Sequence, residues 1–213
     1  MAIEVLLYDA YGTLWDVHSV RQRCESCWPG KGAQVSQLWR TKQLEATWQR
    51  SLMGRYVPFS TVTREALEYA CEALKLVLQK DHENELMSEY LRLETFPDVA
   101  DALMKKPAPH TGILSNGSPD MLEPLVKHSG LKFDAVLSVD AAKVFKPAPQ
   151  AYQLAVERFG VPKERIGFVS SNFWDAAGAK SFGFYVYWIN RVGIAAERLG
   201  FRPDRVLKSL AAL

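Results

Sequence analysis

The chain has 213 residues, 48% of them hydrophobic and 23% charged, with a formal net charge of +2. That length and composition suit one large domain, or a core with an inserted subdomain. So small a charge gives no argument for nucleic acid or a membrane surface as partner, and no apolar stretch reaches the roughly 18 residues of a membrane span.

The opening residues, MAIEVLLYDA, read as a strand and lack the basic head and cleavage site of a signal peptide, so a cytoplasmic protein is expected. The first apolar run, EVLLYD (4–9), ends in a single carboxylate, Asp9, followed at once by a Gly-Thr turn with Tyr11 between. From about 17 to 93 the composition is helix-compatible, without a strand-like run, and is broken once by Pro58. It reads as a helical insertion. Within it Arg40, Leu44, Trp48 and Leu52 share one face at helical spacing. Cys24 and Cys27 form a C-x-x-C, but no second ligand pair follows. Two helical thiols one turn apart is the simpler reading, and three cysteines are too few for a disulfide framework.

LETFPDVADAL (93–103) reads as re-entry into the core, with Pro97 expected in the first turn of a helix. Four more apolar runs follow: TGILSN (111–116), AVLSVD (135–140), IGFVSS (166–171) and FYVYWI (184–189). They are near-continuous, as strands buried on both faces are. Helical patterns over 119–129, 149–159 and 173–182 separate them. Strand and helix in alternation predict an α/β fold, a Rossmann-like parallel sheet with helices on both faces. The division expected is a core of 1–16 plus 94–213 and a helical cap of 17–93.

Polar residues gather where the runs end: Asp9; Ser115 and Asn116; Asp140 with Lys146 just beyond; Ser170, Ser171 and Asn172 with Asp175. Ligands of open α/β sheets bind outside the carboxyl ends of the strands, so four clusters are expected to converge on one edge. Asp9 alone reads as readily as a turn residue. The four clusters together read as a site.

In this order, DAYGTLWDVHSV, LWRTKQLEATWQRSLMGRYVPF, LSNGSPDML, KVFKPAPQAY, SSNFWDAAGAKSFGF and NRVGIAAERLGFRPDRV cover nearly the whole chain. The set resembles the haloacid dehalogenase superfamily of hydrolases, and within it the 2-haloacid dehalogenases. The resemblance implies that Asp9 is the nucleophile, forming an aspartyl ester that water then cleaves. Phosphatases of the superfamily carry a second aspartate two positions on, which protonates the leaving alcohol; here that position is Tyr11, a phenol poorly matched to the task. They also place paired acids to hold Mg²⁺ where this chain has Ser171 and Asn172. Both departures suit a halide, which leaves unprotonated, so no metal and no cofactor are expected.

The same resemblance implies the remaining roles. Lys146 pairs with Asp9 and keeps it ionised. Thr13 hydrogen-bonds the nucleophile or orders its turn. Ser115 and Asn116 bind the substrate carboxylate near the start of the helix at Pro119. Asp175, held by Asn172 and Ser170, activates the hydrolytic water, and Tyr152 supports the lysine. Arg40 stabilises the departing halide. Ala10, Tyr11, Leu44, Phe59 and Trp174 line the substrate pocket. At Thr41 the family often has glutamine. The activity implied is hydrolysis of short L-2-haloacids to D-2-hydroxy acids with inversion, by a protein that dimerises through its cap. A Mg²⁺-dependent phosphatase of the same fold is the alternative, and a non-catalytic relative would have lost Asp9 or Lys146.

Overall fold

The computed structural model describes residues 2–17, 19–105 and 107–213; Met1, His18 and Lys106, which fall within the expected core and helical segments, lie outside the described residues. Six strands, β1 (Val5–Tyr8), β2 (His110–Ser115), β3 (Ala135–Ser138), β4 (Ile166–Ser170), β5 (Tyr185–Ile189) and β6 (Arg205–Leu207), form one sheet in the order β3-β2-β1-β4-β5-β6. Every pairing is parallel. β1 is buried throughout, as its apolar run requires at the centre of a sheet covered on both faces.

The five expected strands are present. β6 was not anticipated: it has three residues, two of them exposed, and such a short edge strand leaves no apolar run to read. The sheet grows from β1 outward through β2 and β3, then crosses to β4 on the other side of β1. The carboxyl ends of β1, β2 and β4 therefore meet where the winding reverses, which is where such sheets open a crevice.

Eight α-helices are found among the described residues: α1 (Ser19–Cys27), α2 (Gly32–Leu52), α3 (Phe59–Ala73), α4 (Lys80–Glu89), α5 (Val99–Met104), α6 (Pro119–Ser129), α7 (Pro149–Phe159) and α8 (Phe173–Phe182). α6 and α7 open on proline, whose fixed φ and missing N–H suit a first helical position. Pro97 does not do this. α5 begins two residues later, and Asp98 precedes it with a carboxylate bonded elsewhere, to Arg191 and to the Leu210 N–H.

Helices α1 to α4 occupy the chain between β1 and β2, and α2 and α3 reach the carboxyl edge of the sheet. The Tyr56 hydroxyl donates to Asp140 (3.0 Å), the Phe145 N–H to the Ser51 hydroxyl (3.0 Å) and the Ser60 N–H to the Ser118 hydroxyl (3.2 Å). Trp48 meets Trp174 edge to face at 5.5 Å.

The buried stripe of α2 is Val35, Trp39, Gln43 and Thr47. Arg40, Leu44, Trp48 and Leu52 run one position beside it, and Leu52 is 88% exposed. The buried stripe itself carries no apolar pattern to read, because two of its members, Gln43 and Thr47, are polar. Gln43 donates to Thr63 (2.7 Å) and accepts from Arg40, while Thr47 donates to the Leu44 carbonyl, so both are satisfied inside. Cys24 and Cys27 are free thiols on α1, as the simpler reading had it.

Candidate active site

Asp9 follows β1 directly. Its N–H donates to the Val169 carbonyl of β4 (2.9 Å), so the strand fixes the backbone from which the carboxylate projects. The chain then turns tightly. The buried Ala10 carbonyl accepts from the N–H groups of Thr13, Leu14 and Trp15, and Gly12 sits at φ +84°, a region that a Cβ would strain.

Three of the expected residues close on Asp9. Lys146 donates to Oδ1 (2.8 Å), while the Thr13 hydroxyl (2.9 Å) and the Asn172 amide (2.8 Å) donate to Oδ2. Lys146 also donates to Asp175 Oδ2 (2.6 Å) and to the Leu114 carbonyl (3.1 Å), which uses all three of its protons. It is 1% exposed. Burial alone would lower the ammonium; the Asp175 and Asp9 carboxylates outweigh it and raise Lys146 above its ordinary value. Asp175 is fully buried. Burial pushes its carboxyl up to about 6, against the pull of Lys146 and with a further push from Asp9.

Two expected supports are redistributed. Asn172 does not hold Asp175 with its side chain: that amide goes to Asp9 and to the Tyr11 carbonyl (3.2 Å), because Asn172 precedes α8 and faces the β1 turn. Asp175 is held instead by Lys146, by the Tyr152 hydroxyl (2.8 Å to Oδ1) and by the Ser170 hydroxyl (3.2 Å to Oδ2). Tyr152 thus reaches the lysine only through that carboxylate. Asp140, expected among the converging clusters, is spent on Tyr56 and Lys143.

Ser115, at the end of β2, is fully buried, and its oxygen accepts from the Gly117 N–H (3.0 Å), which leaves its hydroxyl proton to give. Asn116 accepts the Lys146 main-chain N–H (2.9 Å) and so fixes the loop that carries the lysine. Tyr11 packs its ring on Phe59 (5.7 Å) and Tyr90 (6.0 Å). Its hydroxyl has no hydrogen-bond partner among the described residues, and burial raises it well beyond the ordinary phenol range. Arg40 donates to Gln43 (2.6 Å) rather than to Asp9. It lines a cavity of about 320 Å³ with Arg21, Thr41 and Tyr90, and its charge is felt at the Tyr11 hydroxyl. Leu44 and Trp174 are half-buried.

A model of the haloacid dehalogenase-like hydrolase family matches residues 3–183. The chain belongs to this family. The hydrolase is 46% identical over 215 residues to a haloacetate dehalogenase of Moraxella sp. (strain B), covering 99% of this chain and 96% of that relative. It is 47% identical to an (S)-2-haloacid dehalogenase of Pseudomonas sp. (strain YL), covering 99% and 93%. Among solved structures, an L-2-haloacid dehalogenase from Xanthobacter autotrophicus with chloropropionic acid covalently bound superposes with a TM-score of 0.94, at 40% identity over 98% of this chain and 96% of that one.

The hydrolase's site does not fit a divalent cation of the kind the superfamily's phosphatases use. Mg²⁺ binds through oxygen ligands. Here Asp9 Oδ2 and the Tyr11 carbonyl both face the Asn172 amide, and Asp9 Oδ1 faces the Lys146 ammonium. Two N–H groups thus stand where a cation would need bare oxygen. Among the described residues no group of three His, Cys, Asp or Glu side chains could hold a metal ion.

One side chain in this network had not been singled out. Arg191 reaches the Thr13 turn from just beyond β5. The signal was available, since Asn190 and Arg191 follow the fifth apolar run as the other polar clusters follow theirs.

Proposed function

We propose that the protein hydrolyses short L-2-haloalkanoic acids to D-2-hydroxy acids and halide, without a metal, through an ester on Asp9. One observation carries the reading. Both oxygens of a buried carboxylate are aimed by donors, while the position two residues on holds Tyr11, packed among aromatic rings where an alcohol leaving group would need an acid. Halide is a weak base and departs unprotonated. The 2-haloacid dehalogenase activity for which the Pseudomonas relative is named, and the covalently bound chloropropionic acid of the Xanthobacter structure, support it.

In the first step an Asp9 oxygen attacks the halogen-bearing carbon from the side opposite the halogen. The C–O bond forms as the C–halogen bond breaks, and the carbon inverts. The halide leaves with the bonding pair toward Arg40, where a fixed cation favours the developing charge. Ser115 and the Asn116 main chain hold the substrate carboxylate. Ala10, Tyr11, Leu44, Phe59 and Trp174 surround its alkyl part. In the second step Asp175 takes a proton from water, whose oxygen attacks the Asp9 carboxyl carbon. The acyl–oxygen bond breaks as Asp175 returns that proton to the departing oxygen, so the product leaves as a hydroxy acid with an oxygen that began on Asp9, and the Asp9 carboxyl gives up its remaining proton to solvent. Ser170 and Tyr152 hold Asp175 for that task, and Asn172 and Thr13 keep Asp9 aimed. Residues 17–93 act as a cap over a core of 1–16 and 94–213. A homodimer belongs to the same reading, supported by the apolar exposure of Leu52, Met53 and Tyr69 on that segment. The three free cysteines suit a reducing cytoplasm.

Chloride release from L-2-chloropropionate is expected to proceed at the same rate in EDTA as without it, with the D enantiomer turned over poorly. Phosphate release from p-nitrophenyl phosphate, abolished by EDTA, overturns the reading in favour of the phosphatase.

A pH dependence follows from the two shifted groups. Asp175 acts as a base only when ionised, and its carboxyl sits at about 6. Lys146, raised, keeps its charge into the alkaline range. Where ester hydrolysis limits turnover, Asp9 is esterified and no longer repels the Asp175 charge, so kcat should climb about tenfold per pH unit along an acid limb that lies below about 6, and stay level from there through mildly alkaline pH. A kcat profile that is flat well below that limb removes Asp175 from the role of base.

A further inference from the structure

We propose that Arg191 is a positioning residue for the nucleophile, clamping the Thr13 turn to the Ser171 loop so that Asp9 Oδ2 stays aimed. The inference rests on Asp9 being the nucleophile of the dehalogenation proposed above.

The guanidinium is largely buried and touches three segments at once. One terminal nitrogen donates to the Ser171 hydroxyl (2.8 Å), and the other to the Thr13 carbonyl (3.1 Å) and to Asp98 Oδ1 (2.9 Å). Its plane lies over the Phe96 ring at 4.1 Å. Thr13 and Ser171 are the two ends of the short bridge that aims the nucleophile: the Ser171 N–H donates to the Thr13 hydroxyl (2.8 Å), which donates to Asp9 Oδ2 (2.9 Å). Arg191 therefore grips both sides of that bridge without touching Asp9.

The clamp is itself anchored. Asp98 pairs with Arg191 and accepts the Leu210 N–H (2.7 Å) through its other oxygen, which fastens the last turn of the chain to the same point. The Phe96 N–H bonds to the Leu14 carbonyl of the nucleophile turn (3.0 Å), and Trp188 of β5 donates to the Ser171 carbonyl (3.1 Å). A planar fork spreads its donors across two terminal nitrogens while its face lies on the Phe96 ring, a geometry the single compact ammonium of a lysine does not reproduce. Displacement of a reacting group by about 1 Å costs up to about 10²-fold in rate even when its cause is remote.

The test is steady-state halide release from L-2-chloropropionate by the wild type, Arg191→Ala, Arg191→Lys and Ser171→Ala. Wild-type turnover checks the dehalogenase reading separately; the variants check the clamp. Arg191→Ala should lower kcat about 10–100-fold with KM within about threefold, because the substrate's own contacts are untouched. Arg191→Lys should recover part of that loss by keeping the Asp98 pair. Ser171→Ala, which removes one acceptor of the fork, should lower kcat severalfold and add little on top of Arg191→Ala, the non-additivity expected of two members of one clamp. Arg191→Ala with kcat within twofold of wild type, or with KM raised and kcat kept, overturns the proposal. Should that variant fail to fold, Ser171→Ala decides, and an unchanged kcat in it overturns the clamp.

Discussion

Asp9→Asn is expected to lower kcat by about 10⁴-fold or more, the scale seen when a nucleophile is lost from a site whose parts act together. The substitution keeps size and shape, so Thr13, Lys146 and Asn172 still surround it, yet the charge that attacks carbon is gone. Mass spectrometry of the variant excludes deamidation back to aspartate. The companion experiment is one turnover in H₂¹⁸O with enzyme in excess. The hydroxyl of that first product should carry ordinary oxygen, since it comes from Asp9, and the enzyme should take up the heavy atom. Heavy oxygen in the first product means that water attacked the substrate directly, and with retained turnover in the variant it removes the ester from the mechanism.

Lys146→Met is expected to abolish turnover and to cost about 3–5 kcal/mol of stability, the usual effect of removing one partner from a buried ion cluster. Methionine fills much the same space, so the loss is electrostatic rather than a cavity. Asp9 and Asp175 would then share a buried site with no cation between them. Burial and mutual repulsion raise such a pair above the ordinary carboxylate value. A raised acid favours the folded state below its unfolded value of about 4 and loses that contribution as pH rises through its folded value. Urea titrations should therefore show the variant nearest to wild type at acid pH and furthest from it at neutral pH. A deficit independent of pH would mean that Lys146 matters for packing rather than charge.

Much of the site was legible in the chain because it is built from strand ends. An apolar run that stops at a polar residue marks the carboxyl edge of a buried parallel strand, and Asp9, Ser115 and Ser170 stand there. Lys146 was legible too, although it lies eight residues past β3. The resemblance supplied the lysine's partner, and the structure added a second one, Asp175. The same strand-end rule misassigned Asp140, which ties the helical segment to the core. It would have found Arg191 had it been applied to the fifth run.

The sequence by itself determined the order of five strands, the helical insertion between the first two, and the residue types at each strand end. Local apolar continuity and helix-opening prolines are properties of neighbouring residues, and they can be read without knowing what lies across the fold. Only the tertiary structure decided which side chain faces which. Asn172 turned to Asp9 rather than Asp175, the inward stripe of α2 took in the polar Gln43 and Thr47, and a three-residue strand extended the sheet edge. For Asn172 and Gln43 a deciding partner, Asp9 and Thr63, lies well away in the chain. A buried polar group settles where it finds its hydrogen bonds, and that depends on distances only the folded chain defines.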